Sequence, residues 1–354
     1  RAIWRVESRW PETKMETSPP RVRIVAGADM QQPRPCGVSG NGVLFIERLR
    51  DRVRRVDELT GRLVTLSGGE RGFCDGPAAK FAFPSAASLE KEGLLVADRD
   101  NRRIRLVSTT DGSATTVATF RKGARPCGVV KTAGTYYATV SDDNDGAHAL
   151  VAIPDMTVVA GEHGSRGARD GAGTTARFSV IYDVAACPVT GRLYLADGNR
   201  IRFFDPRTTQ VTTVAGSSDP GVRDGPAEAA LFRTIRGIAV DGEGNVYASD
   251  FANNRVRYLQ HNAYQEWTVR TLVGGSEDLR TQLSPPSLPC PCSLTLDDER
   301  GRLYVGTGDD FIVRVDVPSQ RQRRRRRVTH LKLLFWLAHR HRAFLREEED
   351  GAAS

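Results

Sequence analysis

Short runs in which apolar and polar residues alternate at period two recur along the chain, separated by Gly, Asp and Asn. That period belongs to strands with one face turned to a core, and the separators are turn formers. One unit returns six times. Its middle segments are LFIERLRDRVRRVD (44–57), LLVADRDNRRIRLV (94–107), YYATVSDDNDGAHALVAI (136–153), LYLADGNRIRFFD (193–205), VYASDFANNRVRYLQ (246–259) and LYVGTGDDFIVRVD (303–316). Equivalent positions Val53, Ile104, Ala149, Ile201, Val256 and Ile312 lie 51, 45, 52, 55 and 56 residues apart. Each unit ends in a further strand, such as TVVAG (157–161) or TTVAG (212–216).

Four short antiparallel strands per unit, repeated six times, predict the blades of an all-β six-bladed propeller. One blade cannot bury both of its faces, whereas six packed in a ring can, with little sheet edge left exposed. The first recurrent element, RVRIVAG (21–27), is a closing strand with no blade before it, and the last unit has three strands. The N-terminal strand at 22–26 is therefore predicted to complete the final blade. The expected division is an extension over 1–21, the propeller over 22–317 and a tail over 318–354.

Composition agrees with a turn-rich chain: of 354 residues, 34 are Gly, 18 Pro and only 7% aromatic. No apolar stretch reaches the ~20 residues of a spanning helix. Six cysteines in this length do not make a disulfide framework. The net charge of +8 is uneven. Residues 318–354 carry ten Lys and Arg against four acids, a net of +6, which leaves 41 bases and 39 acids, a net of +2, in 1–317. The body is thus nearly neutral, and strong phosphate attraction is confined to the tail.

The units resemble NHL repeats. The resemblance is carried by VAD-x-x-N-R-R-I-R (96–105), LAD-G-N-R-I-R (195–202) and ASD-x-x-N-N-R-V-R (248–257). The interblade loops GERGFCDGPAAKFAFP (69–84), GSRGARDGAGTTARF (164–178) and DPGVRDGPAEAALF (219–232) add to it. It covers about residues 22–317, and Arg or Asn stands where the family has its namesake His. It implies a propeller of the kind that serves as a scaffold, an RNA-binding module, a ligand sensor or, in some members, a lyase or hydrolase; fold does not decide among these.

Four units place an acid at one strand end and an Arg after the loop: Glu47 with Arg54, Asp98 with Arg105, Asp197 with Arg202, and Asp250 with Arg257. The third unit has Ala138 and Thr139 at the acid's place and Leu150 at the Arg's. Joint loss of both partners points to structural ion pairs between neighbouring strands, not to catalytic carboxylates. A second set, Arg52, Arg103, Arg200 and Arg255, ends the same loops. With Arg71, Arg166, Arg169 and Arg223 of the interblade loops it is expected to form an arc on one face. Such an arc suits phosphate or carboxylate groups; a solvated rim is the favoured alternative, with Asp75, Asp170 and Asp224 close by. The Asp-Gly pairs there are expected to serve turn geometry.

Cys36, Cys127 and Cys292 share a repeat position near the channel, but their spacing is not that of a metal site, and packing is the favoured reading. SDDNDGAH (141–148) resembles half of a calcium loop, with Ala152 where a bidentate acid is needed. His148, His163 and His261 fall at unrelated repeat positions, and no nucleophile elbow, P-loop or HExxH motif occurs. No catalytic residue, metal or cofactor is therefore assigned. The tail joins QRQRRRRR (320–327) to an amphipathic stretch, 328–345, which suits a nucleic-acid or nuclear address, an anionic membrane surface, or an unstructured extension.

The leading expectation is a non-catalytic, monomeric scaffold that presents its loop-rich face to a protein partner. RNA binding through the Arg arc and tail is the second, and a hydrolase or lyase with a metal in the channel the third. The compartment stays open, with an intracellular one slightly favoured.

Overall fold

The computed structural model describes residues 20–27, 30–143, 146, 148–162, 164–262, 266–275 and 288–323. It contains six antiparallel sheets. Blade 1 is built from Pro33–Ser39, Gly42–Glu47, Arg52–Asp57 and Leu63–Gly68, in that order from the innermost strand outwards. Blades 2 to 5 repeat this meander, starting at innermost strands Pro84–Glu90, Ala124–Thr132, Ile181–Ala186 and Ile235–Val240. Blade 6 takes Pro291–Asp297, Arg302–Thr307 and Ile312–Asp316 from the end of the described chain and Val22–Ala26 from its start. Blades 4 and 5 each gain a two-residue fifth strand, Gly171–Ala172 and Gly225–Pro226, from the preceding interblade loop.

The innermost strands touch one another in a closed circuit and line a central cavity of about 960 Å³. In all six, the ladder to the second strand slips by one residue at the same place, so that Cys36, Ser85, Cys127, Tyr182, Arg236 and Cys292 are bulge residues. An extra residue bends a strand and increases its local twist, and here it lets each innermost strand curve around the axis.

The hydrophobic core is divided into six clusters, one at each seam between neighbouring blades. Between blades 1 and 2, for example, Leu44, Ile46 and Val53 meet Phe81, Leu94 and Val96, all at 0–1% exposure. The alternation in the sequence follows from this: each sheet is covered on both faces by its neighbours, and the polar positions fall at the strand ends and outer edges.

The seam between blades 6 and 1 closes the ring. Val22 pairs with Val315 and Ile24 with Val313. Glu58 of blade 1 adds a staple on blade 6: it accepts hydrogen bonds from Arg302 (2.7 Å) and Tyr304 (3.0 Å) and pairs with Arg314. On the other side, the Gln32 N–H donates to Asp310 at 2.7 Å.

The expected propeller starts at the first strand, Val22–Ala26, and its C-terminal side makes further contacts. The ordered contacts of the body run past 317: Gln320 N–H donates to the Asp298 carbonyl at 2.8 Å, and Arg323, 8% exposed, pairs with Asp298 and lies 3.5 Å from Asp241. The first arginine beyond 322 in the basic run is thus taken up by an acidic corner of blades 5 and 6. Residues 1–19 of the extension expected over 1–21, and the amphipathic stretch 328–345, lie outside the described residues.

Deleting residues 1–26 should strip the outer edge of blade 6. The expected result is a thermal midpoint lower by at least about 10 °C, with self-association on size exclusion. An unchanged midpoint would show that the closing strand contributes little.

Candidate functional site: the loop-rich face and the channel mouth

Loops between the second and third strands of each blade, and the loops between blades, open on one face. Three interblade loops are anchored there by the same device. In blade 2, Arg105 is fully buried, with Nη1 donating to Asp98 at 3.0 Å and to the Lys80 carbonyl at 3.1 Å. Its Nη2 reaches the Cys74 carbonyl and the Asp75 carboxylate, both at 2.7 Å. Blade 4 repeats this with Arg202 on Asp197 (2.9 Å), Asp170 (2.8 Å) and the carbonyls of Arg177 and Arg169. Blade 5 repeats it with Arg257 on Asp250 (2.8 Å), Asp224 (2.5 Å) and the carbonyls of Leu231 and Arg223. Each guanidinium lies over a buried Phe: Phe81 at 5.0 Å, Phe178 at 4.9 Å and Phe232 at 4.8 Å from the centroid.

The carboxylates are saturated in turn. Asp98, Asp197 and Asp250 each accept a backbone N–H just after the loop Phe, from Ala82, Ser179 and Arg233 at 2.7–2.8 Å. Asn101 and Asn253 bridge Asp98 and Asp250 to the loop carbonyls of Gly72 and Gly221. Burial pushes the Asp98 and Asp250 carboxyls upwards, against the pull of these donors.

Asp75, Asp170 and Asp224 do more than shape a turn. They grip the arginine from the outer side and also accept the N–H of Thr116, Thr213 and Thr271 on the outermost strands. The following Gly76, Gly171 and Gly225 have φ of +92°, +156° and +124°, which a residue with a Cβ adopts only under strain.

Blade 1 varies the scheme: Glu47 is held by Arg52 at 2.6 Å and Arg54 at 3.5 Å, with Arg50 also at 3.5 Å. In blade 3 the register corrects the sequence reading. Ser141 pairs with His148 as Asp98 pairs with Arg103, so Ser141, not Ala138 or Thr139, stands at the acid's place. Leu150 does replace the arginine and is fully buried.

The second arginine set is brought to the expected face, but most of it is engaged locally. Arg52 belongs to Glu47, and Arg71 donates to Asp100 at 2.6 Å. Arg103 lies 3.8 Å above the Phe73 ring. Arg169, Arg166 and Arg255 donate to the carbonyls of Thr175, Ser179 and Gly275. Arg223 gives its carbonyl to Arg257, and Arg200 opens the third strand of blade 4, partly buried. Exposed apolar side chains share this face: Leu49 (50%), Phe73 (46%) and Val222 (48%). Phe73, Ala168 and Val222 occupy one repeat position, two residues before the clamp aspartate.

At the channel mouth, sequence reading missed a second group. Arg34 donates to the Ser85 carbonyl at 2.8 Å, Arg48 stacks 4.0 Å over Phe83, and Arg236 stacks 3.6 Å over Phe251. Asp183 stands among the innermost strands and accepts N–H groups from Val184 (2.9 Å) and from Ile238 of the next blade (3.0 Å). Burial pushes its carboxyl up to about 6. The RPCG tetrapeptide at 34–37 and 125–128 was a signal for Arg34, and Arg48 follows Glu47 as Arg99 follows Asp98, whereas Arg236 and Asp183 have no counterpart at their repeat positions.

The thiols do not converge. Cys36 packs in the seam between blades 1 and 2, Cys127 donates to Ser141, and Cys292 to the Cys290 carbonyl. Asp143 of the calcium-like loop pairs with Arg125 at 2.6 Å, and Asp145 and His163 lie outside the described residues. His261 packs on Trp267, far in register from His148. Among the described residues, no group of three or more His, Cys, Asp or Glu is placed to hold a metal ion, and no helix is long and apolar enough to cross a membrane.

The comparisons fit this picture at the level of fold. No family model matches the chain. It is 29% identical over 138 residues to Protein SUPPRESSOR OF QUENCHING 1, chloroplastic, of Arabidopsis thaliana, a match that takes in 38% of this chain and 12% of that protein. Among solved structures, a gluconolactonase from Xanthomonas campestris superimposes with a TM-score of 0.55 at 15% identity, over 84% of this chain and 90% of that one. A catalytically inactive virginiamycin B lyase from Staphylococcus aureus gives 0.53 at 11% identity, over 84% and 99%. A protein of unknown function from Bacteroides thetaiotaomicron gives 0.61 at 18%, over 84% and 76%. The shared property is the six-bladed propeller.

Two measurements test the polar framework. Asp197→Ala should cost about 3–5 kcal/mol in urea unfolding, since it takes from a buried guanidinium the one carboxylate that is itself fully buried; adding Arg202→Leu should cost much less than it does alone. Asp183, raised from 3.8 to about 6, keeps its proton on folding while the unfolded chain loses it. Its contribution should therefore fall as pH rises from about 4 to 6, by roughly 1–3 kcal/mol, and Asp183→Asn should remove that slope.

Proposed function

We propose that this chain is an NHL-type propeller that acts without catalysis, as a scaffold holding a protein partner on its loop-rich face. The observation that supports this most directly is the pairing of exposed apolar anchors with arginines there. Phe73 is 46% exposed with Arg103 stacked on it, and Val222 repeats its position three blades on. Aromatic and Arg side chains are the residues that dominate the centres of protein interfaces. The recurring carboxylates of the face are meanwhile committed to the buried arginines, and so serve the architecture.

RNA binding through the same face is the weaker reading. Arg52 and Arg71 are neutralised by Glu47 and Asp100, and the body carries a net charge of only +2 once the tail's +6 is taken from +8. A phosphate-tracking surface needs several free cations. The likeness to a gluconolactonase and a lyase is one of fold.

Affinity purification of the tagged chain, followed by quantitative mass spectrometry, tests the scaffold. Phe73→Asp with Val222→Asp should reduce a specific partner at least tenfold. Leu59→Asp with Val189→Asp, exposed on the opposite face, should leave it in place. Equal retention by both variants, or a bound fraction that ribonuclease removes, would defeat the proposal.

A further inference from the structure

Buried charge is costly unless it is paired. The fully buried arginines of this propeller obey that rule, whereas a partly buried group at the channel mouth does not. Arg105, Arg202 and Arg257 each hold two carboxylates. Arg34, Arg48 and Arg236 are partly buried, yet among the described residues none of them forms an ion pair with a carboxylate. The Nε groups of Arg48 and Arg236 are out of contact with solvent and have no acceptor.

These three belong to one place. Arg34 and Arg48 come from blade 1 and Arg236 from blade 5, and blade 6 lies between them in the ring. Blade 6 contributes Ser293, whose buried hydroxyl also lacks a partner and which lines the cavity with Arg34. Burial, and then the like charges of Arg34, Arg99 and Arg236, hold the Arg48 guanidinium down at about 9. Arg99 shares Asp100 with Arg71 and Arg125, at 3.4, 2.6 and 3.3 Å. A guanidinium stays protonated at neutral pH, so this crowding is repulsion stored in the folded chain. The stacking of Arg48 on Phe83 and of Arg236 on Phe251 fixes both planes and neutralises neither charge.

From this we infer that the mouth of the channel is a binding site for the phosphate group of a small phosphate monoester, with Arg34, Arg48, Arg236 and the Ser293 hydroxyl as its donors. Charge selects the class. Three guanidinium charges less the single carboxylate of Asp183 leave two, which a phosphate dianion balances and one carboxylate group does not. The donor type agrees, because guanidinium forks match the oxygens of phosphate in pairs. The cavity of about 960 Å³ beneath gives room for the organic part.

The probes are inorganic phosphate, phenyl phosphate and acetate, each against sodium chloride at equal ionic strength, read by thermal unfolding and isothermal titration calorimetry. Both phosphates should raise the midpoint of the full chain, by roughly 5 °C at a hundredfold excess over Kd. Arg48→Gln and Arg236→Gln should each weaken binding at least tenfold, whereas Arg207→Gln, on an exposed turn of the opposite face, should not. The two site variants come from different blades, and Arg48 lies in a partly exposed turn, so one folded variant suffices. No shift beyond that of chloride, an equal response to acetate, or unchanged affinity in a folded variant would each overturn the assignment.

Discussion

A fully buried guanidinium fixed between two carboxylates governs how this ring is put together. Arg105, Arg202 and Arg257 sit at 0% exposure, where an unpaired charge would be intolerable. Each is satisfied only when a strand end and an interblade loop arrive together, because one aspartate belongs to each. The clamp therefore ties the loop to its blade, and the loop carries the Phe that fills the seam with the blade before. Polar pairing and hydrophobic closure are one event here. Exposed ion pairs such as Lys80 with Glu70 are of a different order, because solvent screens both charges.

Where the clamp is missing, other devices take its place. Blade 3 substitutes a buried Leu150, so no charge needs a partner. Blade 6 has Val313 at the arginine's position and is held to blade 1 from the opposite face, by Glu58 on Arg302 and Tyr304. Blade 1 concentrates three arginines on Glu47. The ring thus tolerates variation in individual blades as long as every seam retains some link besides its apolar cluster.

Much of the architecture was legible in the chain because repetition amplifies weak signals: a period-two pattern seen six times defines blades, and an unmatched first strand defines the closure. The four acid–arginine pairs could be read for the same reason. The loop aspartates were misjudged because Asp-Gly is a common turn signature, and nothing local shows that Asp75 faces an arginine thirty residues on. The acid position of blade 3 was misplaced because no acid marks it, and only the pairing of Ser141 with His148, like that of Asp98 with Arg103, makes Ser141 the equivalent of Asp98. Nothing in the sequence separates Arg48 from Arg99 at the same repeat position, because what sets Arg48 and Arg236 apart is the absence of a carboxylate partner in space.

The closing strand imposes an order on the life of the molecule. About 285 residues separate Ala26 from Ile312. At ~5–20 residues per second, a ribosome needs roughly a quarter of a minute to a minute to cover that span. Throughout that interval the earliest strand has no neighbour to zip against, and the growing ring presents a raw border to every other nascent chain. The protein is most exposed to mispairing before its last sheet emerges, and only the final residues of the circle put an end to that hazard.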